Sequence, residues 1–134
     1  MKLNKFDLKN KNIIITGAAG LLGYEHCLAL LNVGASVIMT DIEFDKLRKN
    51  KSKLKKINKN FNILCFKMNV ASEKSIKKVI LNLKKNNIKI DCLVNNACLN
   101  PKFSNKFSSK NTRLENFTLD EWNREITVGL TGAF

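Results

Sequence analysis

Residues 12–23 read NIIITGAAGLLG, and the reading of this stretch decides the fold. Ile13, Ile14 and Ile15 run without a polar break. Such a short apolar run suits a strand of a parallel sheet, which helices cover on both faces. Thr16 and Gly17 end it. Gly17, Gly20 and Gly23 then recur at every third residue and lead into a helical pattern. Strand, glycine turn and helix in succession make an anion site. The turn lets backbone approach a phosphate, and the helix N-terminus offers unpaired N–H groups and a partial positive charge. Glycines also make ordinary turns, so the pattern takes its meaning from what lies further along.

Outward from it, strands and helices alternate. Leu21, Tyr24, Leu28 and Leu31 predict the buried face of a first helix over 21–33. Gly34 sits where a helix end wants positive φ. Val37, Ile38 and Met39 centre a second buried strand over 35–40, with Asp41 directly after it. Leu47, Leu54 and Ile57 mark a second helix over 44–58, and Ile63 to Phe66 the middle of a third strand over 62–67. Ser72 can cap a third helix carrying Ile76, Val79, Ile80 and Leu83. A fourth strand over 90–94 is closed by Asn95, Asn96 and Ala97. Residues 98–116 are irregular and polar around Pro101, the signature of a functional or disordered loop. Thr118 and Glu121 have the spacing of a capping box, with Phe117 and Trp122 placed for a hydrophobic staple. The helix begun there is expected to continue to Phe134. Residues 1–11 read as a polar lead-in or loose arm.

This alternation predicts an α/β fold, a doubly wound parallel sheet with right-handed crossovers and helices on both faces, and its four strands are read in the order 3-2-1-4. Its switch point lies between strands one and four, where ligands bind beyond the carboxyl ends. The glycine turn and residues 95–97 would both line that crevice. Asp41 stands about twenty residues past the glycines, where a carboxylate can hold both ribose hydroxyls of an adenosine and repel a 2′-phosphate. The same aspartate could instead serve a turn or cap the next helix.

The chain has 134 residues and a formal charge of +13, and 44% of it is hydrophobic. That length predicts one domain over 1–134 with a real core. No apolar run reaches the roughly 18 residues needed to span a bilayer. The N-terminal segment lacks the apolar core and cleavage site of a signal peptide, so a cytoplasmic protein without membrane contact is expected. Cys27, Cys65, Cys92 and Cys98 form no C-x-x-C pair and read as free thiols. The basic excess is nearly all lysine, with only Arg48, Arg113 and Arg124 beside it. Aromatics interleaved with the basic residues are scarce, which argues against specific nucleic-acid binding. The run over 46–59 carries Leu47, Leu54 and Ile57 at helical spacing, so its charges read as a solvated face. His26 has no acidic or cysteine partner at ligand spacing, and no metal site is expected. Glu115, Asp120, Glu121 and Trp122 suit loop, cap and staple roles.

ITGAAGLLG, the acidic Asp41, NNA at 95–97 and WNREITVGLTGAF together resemble the N-terminal half of the short-chain dehydrogenase/reductase family, in its order and spacing. More loosely, the chain is similar to oxidoreductases of surface-sugar or flagellin modification and to acyl-carrier-protein reductases. The resemblance implies a Rossmann-type fold binding NAD in preference to NADP. It implies a cofactor-binding set of Gly17, Ala18, Ala19, Gly20, Leu21, Leu22, Gly23, Asp41, Ile42, Asn69, Val70, Asn95, Asn96 and Ala97. In this set the glycines surround the pyrophosphate and Asp41 holds the adenine ribose. Asn69 and Val70 lie beside the adenine, and residues 95–97 border the nicotinamide ribose. The chain also departs from the family pattern. The middle glycine comes one residue early, with Leu21 in its usual place, a spacing commoner among sugar epimerases and dehydratases. Cys98 replaces a glycine, and Gly129 replaces an asparagine of the final helix. The family's catalytic Tyr-x-x-x-Lys pair does not occur: the one tyrosine, Tyr24, is followed four residues on by Leu28.

The expected function is therefore the dinucleotide-binding part of an oxidoreductase. In the complete enzyme it would act on a small carbonyl, alcohol or sugar substrate, as the homo-oligomer usual for the family. A non-catalytic dinucleotide- or nucleotide-sugar-binding module and a basic nucleic-acid-binding domain are the alternatives. No catalytic residue is assigned within the chain, which reads as truncated. Ile90, Leu93 and Val94 are expected to lack cover at the edge of the sheet, leaving the isolated chain marginally stable.

Overall fold

A computed structural model describes residues 6–99 and 113–134. Side chains alternate across a strand, and the three isoleucines of β1 (Asn12–Thr16) accordingly feed two separate cores. Ile13 and Ile15 join Val37, Met39 and Ile63, and this face is covered by Cys27, Leu31, Leu47 and Leu54 from two helices. Ile14 joins Ile38 on the opposite face, covered by Val79 and Leu83 from a third helix. Burial on both faces is the reason the strand needed no polar alternation.

The covering helices are α1 (Leu21–Asn32), α2 (Phe44–Ile57) and α3 (Glu73–Lys85). They connect β1 to β2 (Ser36–Asp41), β3 (Ile63–Lys67) and β4 (Cys92–Val94), and α4 (Leu119–Ile126) follows after a short 3-10 turn. All strand pairs are parallel, in the order β3-β2-β1-β4. This is the doubly wound Rossmann arrangement read from the sequence. Residues 100–112, including Pro101 and most of the expected irregular loop, lie outside the described residues. No described helix is long and apolar enough to cross a membrane.

Several local expectations shift. α1 turns Gly23, Cys27 and Leu31 to the sheet. Tyr24 and Leu28 pack only at its flank, and Leu21 is 81% exposed. The reason is close approach: Gly23 has no Cβ, so the helix settles against the backbone of Ala18. In α2 the buried positions are Leu47, Asn50 and Leu54, while Ile57 is exposed. The lead-in is no loose arm from Leu8 onward. Its N–H donates to the Val33 carbonyl at 2.9 Å, and its side chain packs on the α1 core. β4 begins at Cys92 rather than at Ile90. The Asp91 N–H donates to the Asn12 carbonyl, but its carboxylate takes the Asn12 N–H in return, and Ile90 turns into the α3 core. Val94 packs on the α1 side. Of the three edge residues expected to lack cover, Leu93 alone is exposed, at 51%.

The capping expectations match the structure. Gly34 has φ +93, the Ser72 hydroxyl accepts from the Ser75 N–H, and Thr118 and Glu121 form the reciprocal capping box. The last helix does not stay α-helical to Phe134. It passes into a π-helical turn over Thr127–Thr131, closed by the Gly132 N–H donating to the Thr127 carbonyl at 2.9 Å. The Thr127 hydroxyl donates to the Asn123 carbonyl, a side-chain competitor that loosens the regular ladder.

Candidate functional site

β1 ends at Thr16, whose buried hydroxyl ties the first strand to the fourth. Its oxygen accepts the N–H groups of Asn96 and Ala97, each at 3.0 Å, and the hydroxyl donates to the Val94 carbonyl at 3.4 Å. The Asn96 side-chain amide returns the contact, donating to the Thr16 and Gly17 carbonyls at 2.9 and 3.2 Å. Gly17 follows at φ +66, and a Cβ there would stand 2.8 Å from the Ala97 Cα. Both the left-handed conformation and the close approach require glycine.

The turn is then held from below. The Ala18 N–H donates to the Thr40 carbonyl at 3.0 Å. The Ala19 N–H donates to Asp41 Oδ2 at 2.9 Å, and the other oxygen, Oδ1, accepts from the Glu43 N–H at 2.9 Å. Asp41 thus braces both the glycine turn and the entry to α2. Each carboxylate oxygen keeps acceptor capacity beyond these single bonds. Gly20 is the N-cap of α1, with no side-chain cap and no acidic residue in the first turn. The N–H groups of Leu21, Leu22 and Gly23 consequently have no intrahelical partner, and the positive end of the helix is not neutralised.

These elements border one cleft of about 610 Å³ at the carboxyl ends of the strands. Of the residues the sequence singles out, Gly17, Ala19, Gly20, Leu21, Leu22, Gly23, Asp41, Ile42, Asn69, Val70, Asn96 and Ala97 line it. Two do not. Ala18 is in the core behind the turn, and the Asn95 amide turns away to the Ala133 carbonyl at 3.3 Å. The cleft gains Thr40, Glu43, Lys46, Met68, Leu99 and Val128, which the sequence did not mark as site residues, and Cys98, noted there only as a departure from the family pattern. Val128 comes from the π-helical turn, which Gly132 seats closely against Val70. Asn50, also missed, reaches the turn from α2 through its side-chain amide, 3.4 Å from the Ala18 carbonyl and 3.3 Å from that of Ala19. Its core-facing position between Leu47 and Leu54 was the available signal. His26 is exposed on α1, and Tyr24 lies outside the cleft lining. Trp122 is 53% exposed, although the capping box beside it forms.

The sequence model of the short chain dehydrogenase family matches residues 11–134. The chain belongs to the short-chain dehydrogenase family. The family binds NAD(P) as its cofactor. The 5-keto-D-gluconate 5-reductase of Escherichia coli K12 is 29% identical over 129 residues, covering 96% of this chain and 46% of that protein. A short chain dehydrogenase/reductase of Gibberella zeae is 23% identical over 124 residues, covering 92% and 42%. This short-chain dehydrogenase chain therefore spans a little under half the length of these curated relatives. Among solved structures, NAD+-bound xylitol dehydrogenase aligns with a TM-score of 0.77 at 26% identity, over 95% of this chain and 45% of that one. A short chain dehydrogenase from Mycobacterium smegmatis aligns at 0.79 and 26%, over 96% and 50%.

Proposed function

We propose that the cleft is the dinucleotide site of a short-chain-dehydrogenase-type oxidoreductase and takes NAD(H) in preference to NADP(H). The observation that carries this reading is the uncapped N-terminus of α1, set behind a positive-φ glycine, with the Asp41 carboxylate lining the same cleft. A pyrophosphate fits the first and an adenosine ribose the second. Leu21, Leu22 and Gly23 would receive the pyrophosphate on their N–H groups. Ile42, Asn69 and Val70 would border the adenine, and Asn96 and Ala97 the nicotinamide ribose. When bound, the nicotinamide supplies a hydride acceptor or donor for a carbonyl/alcohol pair in the complete enzyme. The named relatives act on 5-keto-D-gluconate and xylitol, which supports a polyol, sugar acid or similar small substrate. We place the protein in the cytoplasm, as a homo-oligomer in full-length form, without specific nucleic-acid or membrane partners.

The second reading is nucleotide binding without catalysis. It is favoured by the absence of a Tyr-x-x-x-Lys pair from the 134 residues and by the place of Tyr24 on α1. Titration with NADH and NADPH tests the cofactor assignment. The Asp41 charge should favour NADH by about 1–3 kcal/mol, roughly tenfold to a hundredfold. Asp41→Asn removes the charge while keeping an acceptor for the turn, and should narrow that gap. Equal or tighter NADPH binding by the unaltered chain overturns the assignment.

A further inference from the structure

We propose that Asn50 is a positioning residue that sets the orientation of the glycine turn toward the phosphates. This role rests on the dinucleotide reading above. Asn50 stands at a core-facing position of α2, flanked by Leu47 and Leu54, and is 8% exposed. A leucine would fit the pattern of that face, and burying an amide there is unfavourable unless its polar atoms are bonded. The Asn50 amide nitrogen meets that need with the carbonyls of Ala18 and Ala19.

The geometry of the peptide unit makes this contact more than a filler. In a trans peptide the carbonyl and the N–H point in opposite directions. The unit joining Ala18 to Ala19 has its carbonyl on Asn50 and its N–H on Asp41. Gripped at both ends, it cannot rotate about the chain axis. The next unit has its carbonyl on Asn50 and its Gly20 N–H on the Gly17 carbonyl. Two consecutive peptide planes are therefore fixed from α2 immediately before the uncapped first turn of α1. Without Asn50 both would keep one anchor and lose the other, and the N–H groups of Leu21 and Leu22 would lose their fixed aim. Adenosine reaches Asp41 and Ile42 without needing that aim, whereas a pyrophosphate needs it.

The test compares ADP and adenosine binding by calorimetry for the 134-residue chain and for Asn50→Leu and Asn50→Asp. The first variant removes the donor, and the second sets an acceptor against two carbonyls. ADP affinity should fall about tenfold while adenosine affinity changes less than about twofold. The ratio is read on whichever variant keeps the far-UV spectrum of the unaltered chain. An unchanged ADP-to-adenosine ratio overturns the proposal, as does loss of the fold in both variants, which would make the amide purely structural. Failure of the unaltered chain to bind either ligand overturns the dinucleotide reading itself, and this role with it.

Discussion

Cys27 shows how far burial governs a single group. It sits at the α1–sheet contact, and burial first, then the neighbouring Cys65 thiol, push its pKa from an ordinary 9.0 up to about 12. Cys65 is also raised by burial, with Lys51 opposing. In the unfolded chain the Cys27 thiol loses its proton above pH 9, while the folded chain keeps it until about pH 12. Between those values the unfolded state binds fewer protons, so stability falls as pH rises. Unfolding free energies should therefore drop by about 1 kcal/mol from this group by pH 10. Cys27→Val should remove that part of the slope, and identical slopes in the two proteins would contradict it. Asp41 was legible in the sequence as either a turn-former or a ribose acceptor. The structure shows its turn-forming bonds, and spare lone pairs leave room for both uses. Asn50 was half legible: its place between Leu47 and Leu54 marks a core-facing amide, but not that the amide reaches a turn more than thirty residues earlier.

Two glycines on neighbouring patterns behave oppositely. A Cβ on Gly23 would collide with the Gly17 carbonyl and lie 2.7 Å from the Ala18 Cα, both rigid backbone atoms. Gly23→Ala should cost about 1–3 kcal/mol in chemical denaturation. Gly129 has nothing within 4 Å of its would-be Cβ. There an alanine should be neutral or stabilising by up to about 1 kcal/mol. A large loss at Gly129, or none at Gly23, would refute this account of their surroundings. Gly23 was legible as the last glycine of the turn motif and Gly129 as a departure from the family pattern, but the space around each was not, since that depends on the backbone packed against it. Among the described residues the four strands and four α-helices were legible, because buried strands are short apolar runs and the caps at Ser72 and Thr118 are local, whereas the π-helical turn over Thr127–Thr131 was not. The α1 face was misjudged for a physical reason: Gly23 looks like an interruption of the apolar stripe and is in fact its closest contact.

For the molecule taken whole, the +13 charge is carried largely by outward lysines of α2 and α3. Exposed ion pairs such as Lys46–Glu43 use few of them. Duplex DNA should bind weakly, without sequence preference, and be lost steeply on adding salt. Submicromolar, sequence-selective binding at physiological salt would revive the nucleic-acid reading. The 134-residue chain should not oxidise NADH with a panel of carbonyl compounds, since no tyrosine–lysine pair is available for proton transfer. Clean turnover would assign the proton chemistry to another group. Alternation and crossover handedness predict the parallel sheet, and the observed order β3-β2-β1-β4 is one of those they allow. What spacing could not convey was the bonding of Thr16 to Asn96 and Ala97, which lie 80 and 81 residues along the chain.

That junction has a consequence for how the sheet finds its alignment. Sliding a strand by one residue normally exposes its apolar side chains and buries its polar ones, and this penalty fixes the register. In β1 a one-place slide replaces isoleucine with isoleucine at its centre. The apolar run is nearly indifferent to such an error. Only its end is not: a shift would withdraw the Thr16 hydroxyl from two N–H groups and bring a side chain where Gly17 meets Ala97. The turn proposed to hold phosphate is thus also the proofreading mark of the central strand.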